Sequence, residues 1–398
     1  MRVFILAILL YFPFVNLLAC FLTLSVLRRL SLLTPQVRIG LWIWFVAVIG
    51  FLALQLGAPP GWRPFLQHWF YAEFAIGMFW NLILMPPIAV IALLAWLALK
   101  IRDFCREKSG RAACDKAALS EGITRRKFLY YATFGAAPAA ALGAGVHGTI
   151  TRNDLRVREL KIPVPGLPAA MEGFTITHMS DLHSGLFCGP EKLRVISDTA
   201  NELKSDLVVV TGDLINDSVT ELPAAMACIK RVESRYGIFI CEGNHDYFAG
   251  QGALPGACAK AGLPYLHNSN KVLQIRGCNL YMAGLPWFGS HYRREEVRMD
   301  RLFPAVREKT DVRILLAHHP HLFDSALGSA DLVLSGHTHG GQLMFGNVGC
   351  GPLFFRYWSG LYQKERSSLV VSNGCGDWFP CRIGAPAELL RLTLTSAG

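Results

Sequence analysis

Leu332-Val-Leu-Ser-Gly-His-Thr-His-Gly-Gly-Gln342 is the stretch from which the fold of this chain can be read. An apolar run, Leu332 to Leu334, stops at Ser335-Gly336 and is followed by two imidazoles, His337 and His339, one residue apart. A short apolar run bounded by turn residues reads as a buried strand, which places both histidines in the loop at its end. Histidines so placed can serve two neighbouring metals, although a His-x-His pair by itself fits an ordinary polar turn equally well.

Upstream, four further apolar runs end in ligand-type side chains. They deliver Asp181 and His183 in Ser-Asp-Leu-His, Asp213 in Thr-Gly-Asp, Asn244 and His245 in Gly-Asn-His-Asp, and His318 in Ala-His-His-Pro. Five strand ends bringing carboxylate, amide and imidazole groups to one rim make a metal site with room for two ions. A shared carboxylate can hold two cations about 3.5–4 Å apart, and such a pair lowers the pKa of water toward neutrality. Oxygen and nitrogen donors without cysteine suit manganese, iron or zinc, and manganese is favoured among them.

In this order, Asp-x-His, Gly-Asp, Gly-Asn-His-Asp, His-x-Pro and Gly-His-x-His resemble the calcineurin-like metallophosphoesterase superfamily, from about Leu155 to the C-terminus. The tail Ser372-Asn-Gly-Cys-Gly, Pro380-Cys-Arg-Ile-Gly-Ala-Pro-Ala-Glu388 and the Gly-Gly-Gln after His339 resemble its bacterial membrane-associated branch. The resemblance implies an α/β fold, a β-sandwich of two mixed sheets flanked by helices. It also implies that Asp181, His183 and His339 hold one metal, that Asn244, His318 and His337 hold the other, and that Asp213 bridges them. His245 would then be the histidine that is not a ligand and that protonates the leaving group. The family often has a carboxylate three residues after the bridging aspartate to orient that histidine. Here Asn216 stands there with Asp217 beside it, so either Asp217 substitutes or His245 is held less strongly.

The rest of the chain is of another kind. Its 398 residues are 52% hydrophobic and 17% charged, too apolar for an ordinary soluble protein. Residues 1–150 hold 14 Lys and Arg against 5 acids, whereas residues 151–398 hold 25 against 24. The basic excess therefore belongs to the apolar part, which indicates membrane topology and no nucleic-acid partner. Val3 to Leu27, Ile39 to Trp62 and Phe74 to Leu99 carry no charge, and each exceeds the ~20 residues that span a bilayer. Residues 1–99 are accordingly predicted as three transmembrane helices, an all-α region preceding the catalytic domain.

Residues 100–127 form a linker with nine Lys and Arg, and nine basic residues in a short loop predict a cytosolic location. Residues 128–150 are uncharged and rich in Ala and Gly. They read as a fourth transmembrane helix or, after Thr124-Arg-Arg-Lys-Phe-Leu, as a twin-arginine-type signal segment. Both lead residues 151–398, the metallophosphoesterase domain, out of the cytoplasm. Within that domain Phe174–Met179, Leu207–Val210, Ile238–Cys241 and Ile314–Ala317 are expected as strands, with helices at Pro190–Leu203 and Ala224–Val232. His178, inside a strand, is expected in the core, and His319 beside the site in a supporting role. Eight of the eleven cysteines follow residue 150 without Cys-x-x-Cys spacing and read as buried thiols, with Cys375 and Cys381 the candidate pair for a disulfide.

The expected function is a multi-pass inner-membrane protein whose two-metal phosphoesterase opens phosphodiester or phosphoanhydride bonds of a membrane-associated or cell-envelope substrate, with membrane lipid as its surroundings. Resemblance also leaves open a pyrophosphatase of a nucleotide-linked acyl-sugar lipid, of the UDP-diacylglucosamine type, on the cytosolic face. A third reading is a membrane sensor or scaffold that only binds phosphate ligands.

Overall fold

The computed structural model describes residues 137–249, 252–287, 298–379 and 381–397, together with isolated helical positions between residues 18 and 104. The chain divides into two units, residues 1–146 and 147–398. Among the described residues no helix is long and apolar enough to cross a membrane. Val3–Leu27, Ile39–Trp62 and Phe74–Leu99 lie largely outside the described residues, as do the whole of 105–127 and 128–136. The described part of 128–150 is a 14-residue helix, α1 (Ala137–Ile150), about 21 Å long at 1.5 Å per residue.

In the second unit, strands and helices alternate as the hydrophobic periods predict. They run β1 (Arg156–Val164), β2 (Thr175–Met179), α2 (Pro190–Glu202), β3 (Leu207–Thr211), α3 (Leu222–Lys230), β4 (Ile238–Cys241), α4 (Asn244–Ala249) and α5 (Ala253–Ala261). Next come β5 (Ser269–Ile275), β6 (Cys278–Gly284), α6 (Met299–Leu302), β7 (Asp311–Leu316), α7 (Phe323–Ala326) and β8 (Leu332–Ser335). A short hairpin, β9 (Met344–Phe345) and β10 (Val348–Gly349), leads into α8 (Cys350–Phe354), and β11 (Gly360–Lys364), β12 (Ser367–Val371) and β13 (Glu388–Ser396) complete the domain.

Two mixed sheets result, in the orders β1-β13-β2-β3-β4 and β11-β12-β8-β7-β6-β5. Residues on the inner faces of both, among them Ile176, Leu207, Val209, Leu280, Ile314, Leu332 and Leu334, form one buried core between the sheets. The alternate residues Val208 and Val210 face outward against α2, α3 and α5 in a second core, and Leu315, Val333 and Leu369 join a third with α6 and α7. Strands covered on both faces become continuous apolar runs, which is why Leu207–Val210 carries no polar residue. Burying each such side chain stabilises by about 1.5–3 kcal/mol. α2 shows the complementary pattern, with Pro190 at its first turn and Leu193, Ile196, Ser197 and Ala200 on the buried face. The sandwich implied by the family resemblance is therefore present.

Parallel pairing sets the position of the site. β2, β3 and β4 run parallel to one another, as do β6, β7, β8 and β12. Their carboxyl ends deliver Asp181, Asp213, Asn244, His318, His337 and Ser372 to the loops, the edge at which open α/β sheets place ligands. None of the eight cysteines after residue 150 forms a disulfide, so Cys375 and Cys381 are not bridged.

Candidate metal centre

Each expected ligand follows a strand by two to four residues, and the backbone turns sharply there. Asp181, His183, Asp213, His337 and His339 all have positive φ, between 42° and 70°. That left-handed region costs an ordinary residue about 1–3 kcal/mol, and sandwich packing on both sides of each loop holds it in place. Two glycines of the motifs are required by close approach. A Cβ on Gly336 would stand 2.1 Å from Asp181 Oδ2, and one on Gly243 2.1 Å from Asp213 Oδ1. Gly-His-x-His and Gly-Asn-His-Asp thus begin with glycine because a carboxylate of another loop occupies the side-chain space.

The seven side chains converge as two trios around Asp213. On one side His183 Nε2 is 3.1 Å from His339 Nε2, and His339 Nε2 is 3.4 Å from Asp181 Oδ1. Opposite, Asn244 Oδ1 lies 3.0 Å from His318 Nε2 and 2.7 Å from His337 Nδ1. Asp213 Oδ2 stands between them, 3.6 Å from His183 Nε2 and 3.1 Å from His318 Nε2. Asp181, His183 and His339 form one group able to hold a metal ion, and Asp213, His318 and His337 another. Imidazole nitrogens and carboxylate oxygens crowd together here with almost no protein donors between them, and a cation is what makes such a cluster favourable.

Electrostatics agree with that donor set. Burial would raise the Asp213 carboxyl, but His318, His245 and His183 outweigh burial and hold it well below the usual carboxylate range. Burial pushes Asp181 up to about 6. His318 is lowered by burial but raised more by Asp213, to about 9, so in the absence of a cation a proton on this imidazole supplies the missing positive charge. Burial drives His183 and His339 far down and His337 to about 3, which keeps their lone pairs free for a metal. The supporting hydrogen bonds are protein-made. His318 Nδ1 donates to Thr211 O at 2.7 Å, which fixes Nε2 as the ring atom facing Asp213, and Asp181 accepts from Ser180 Oγ at 2.5 Å and from His337 N at 3.1 Å.

His245 lies half-buried at the edge of this cluster, its ring 4.6 Å from that of His183. Its backbone N–H donates to Asp213 Oδ1 at 2.8 Å. The alternative in which Asp217 orients this histidine gives way to another arrangement. His245 Nδ1 donates to the backbone oxygen of Asn216 at 2.5 Å, and the exposed Asp217 carboxylate accepts from Asn216 Nδ2 at 2.7 Å. Asn216 occupies the place of the family's carboxylate, and its main-chain oxygen, not its side chain, supplies the acceptor.

Three further residues escaped the sequence reading. Asp246, the last residue of Gly-Asn-His-Asp, accepts from Leu214 N at 2.9 Å and Gly243 N at 3.0 Å and so ties two ligand loops together. Trp287 stacks 5.5 Å from His337. Arg382 is buried behind His339, with Nη2 3.2 Å from the imidazole Nδ1 and Nε 2.6 Å from Asp377 Oδ1. Only the tail pattern pointed to Arg382, and nothing in it indicated a ligand histidine as the partner. His178, by contrast, is core as expected, with Nε2 2.8 Å from Thr211 Oγ1, and His319 stacks on His337 at 4.4 Å.

The profile of the calcineurin-like phosphoesterase family matches residues 174–341. Over 256 residues the chain is 31% identical to the Danio rerio "transmembrane protein with metallophosphoesterase domain", covering 61% of this chain and 58% of that one. The Bos taurus protein of the same description is 30% identical over 256 residues, covering 61% and 57%. Over 297 residues the chain is 30% identical to the uncharacterized metallophosphoesterase YkuE of Bacillus subtilis, covering 69% of this chain and 98% of that one. The chain thus spans under two thirds of the two vertebrate proteins and nearly all of the bacterial one.

Proposed function

The chain belongs to the calcineurin-like metallophosphoesterase family, and from that premise we propose that it is a metal-dependent phosphoester hydrolase that works from a membrane tether on a membrane-associated or cell-envelope substrate, opening phosphodiester or phosphoanhydride bonds. The observation that carries the two-metal part is Asp213 Oδ2 lying between His183 and His318, as a bridging ligand must. Asp181, His183 and His339 would hold one ion and Asn244, His318 and His337 the other. When bound, such a pair supplies Lewis acidity toward a phosphoryl oxygen and makes water a stronger acid.

The chain's own residues do the rest. Asn216 O holds the His245 Nδ1–H, which leaves Nε2 as the atom that carries a proton to the leaving oxygen. Asp213 Oδ1, through the His245 backbone N–H, fixes where that imidazole stands relative to the ligands. Ser180 and the His337 N–H orient the Asp181 carboxylate, and Trp287 walls the His318 and His337 side.

Elemental analysis is expected to give two transition-metal ions per chain, because seven converging ligands exceed what a single tetrahedral or octahedral ion uses. One ion accompanied by full activity would defeat that expectation. Turnover of a generic aryl phosphodiester with added manganese separates an enzyme from a scaffold that only binds phosphate.

The tether is supported by the three uncharged segments within residues 1–99 and by two relatives described as transmembrane proteins. Nine basic residues between 100 and 127 place that linker inside, so the catalytic domain lies outside the cytoplasm. Alkaline phosphatase fused after Gly398 is expected to be active. A fluorescent protein at the same position that glows, together with an inactive phosphatase fusion, would return the domain to the cytosol and favour the nucleotide-linked acyl-sugar lipid as substrate.

A further inference from the structure

Between Phe345 and Phe354 the chain exposes four large apolar side chains. Phe345 and Val348 on the β9–β10 hairpin are 61% and 74% exposed, and Leu353 and Phe354 on α8 are 74% and 69% exposed. Each side chain of this size forfeits about 1.5–3 kcal/mol while it stays in water. A group of them beside a polar site marks a surface that something apolar covers.

Two sets of contacts identify the cover. The next residue, Phe355, places its ring 5.9 Å from that of His337, so the apolar edge borders the candidate metal centre directly. On its other side the hairpin is held by the segment that also receives the end of α1. Met344 N donates to Ile383 O at 2.7 Å, and the neighbouring Arg382 N donates to Gly148 O at 3.0 Å. The last residues of the uncharged segment 128–150 and the start of the hairpin are thus anchored to adjacent residues. The polar flank is cationic, since the exposed Arg356, two residues after Phe354, shares the single carboxylate of Asp324 with Lys364. Apolar side chains bordered by cations are the composition of an interfacial anchor on an anionic bilayer.

We propose that the β9–β10 hairpin and α8 form a bilayer-inserting edge that seats the metal centre at a lipid surface. Phosphoesters borne by lipids then reach His337 without leaving the headgroup layer. This deepens the membrane reading above and rests on it, and the experiment separates the two. Full-length protein carrying Phe354→p-benzoylphenylalanine is reconstituted in vesicles of phosphatidylethanolamine and phosphatidylglycerol with radiolabelled acyl chains, then illuminated. Val306→p-benzoylphenylalanine, at an equally exposed position (72%) outside the hairpin and α8, serves as the comparison. Lipid labelling from position 354 is expected to exceed that from 306 roughly tenfold. Equal labelling, or cross-links from 354 to protein in place of lipid, would overturn the inserting edge. Alkaline carbonate extraction of the same preparation reads the tether independently: a chain that washes off yet labels lipid from 354 overturns the tether and keeps the edge.

Discussion

Replacing Asp213 with Asn is expected to remove nearly all turnover and to lower metal content at the same time. Both trios face this one carboxylate, with Oδ2 3.6 Å from His183 Nε2 and 3.1 Å from His318 Nε2. The amide is isosteric and fits beside Gly243, so a folding defect is not the expected cause of the loss. Its oxygen can still accept the His245 N–H. Its NH₂ then points at His183 and His318, a donor where a shared anion is needed. Removing one member of a buried charged pair costs about 3–5 kcal/mol, which here falls on holding the cations. Because two metal positions lose charge compensation together, this is the most damaging single ligand change. An Asp213→Asn enzyme that keeps its metals and most of its turnover would show that the bridge is wrongly assigned.

His245→Ala should lower turnover by about 10²–10⁴ while leaving both metals in place, since it removes an acid and a charge stabiliser but no ligand. The loss should shrink for substrates whose leaving group needs no proton, so an aryl ester with an acidic phenol is expected to suffer least. Metal analysis of the variant makes the test two-sided, because a missing ion would turn His245 into a ligand. Asp217→Ala, by contrast, should leave turnover within about twofold, as expected of an exposed surface change. The acceptor on His245 Nδ1 is the Asn216 main chain, which this substitution keeps. A large loss in that variant would restore Asp217 as the orienting group.

How much of this was legible in the sequence differs from element to element. Strand ends were legible because strands buried on both faces become uninterrupted apolar runs, so Leu207–Val210 and Leu332–Leu334 announce themselves and the ligand-type residues just beyond them stand out. The order of the motifs carried the family, and the family carried the pairing of ligands to metals. Charge counts predict a basic linker at 100–127, which lies largely outside the described residues. What the sequence by itself determined, then, was which residue types stand at which strand ends, since those depend only on local periodicity and on neighbours in the chain.

Tertiary structure alone decided which atoms meet. His183 and His339 are 156 positions apart and come within 3.1 Å only because β2 and β8 end at the same edge of two packed sheets. The left-handed turns at Asp181, His183, Asp213, His337 and His339 are imposed by that packing, since isolated loops of these residues would relax to cheaper conformations. Asn216 orients His245 through its carbonyl, a group every residue possesses, so no side-chain pattern could have disclosed it. Arg382 reaches His339 because the tail folds back beneath the site and Asp377 neutralises the buried guanidinium there. A sequence records which groups are available, whereas hydrogen-bond partners follow from distances set by long-range packing, and those exist only once the sheets have closed on each other.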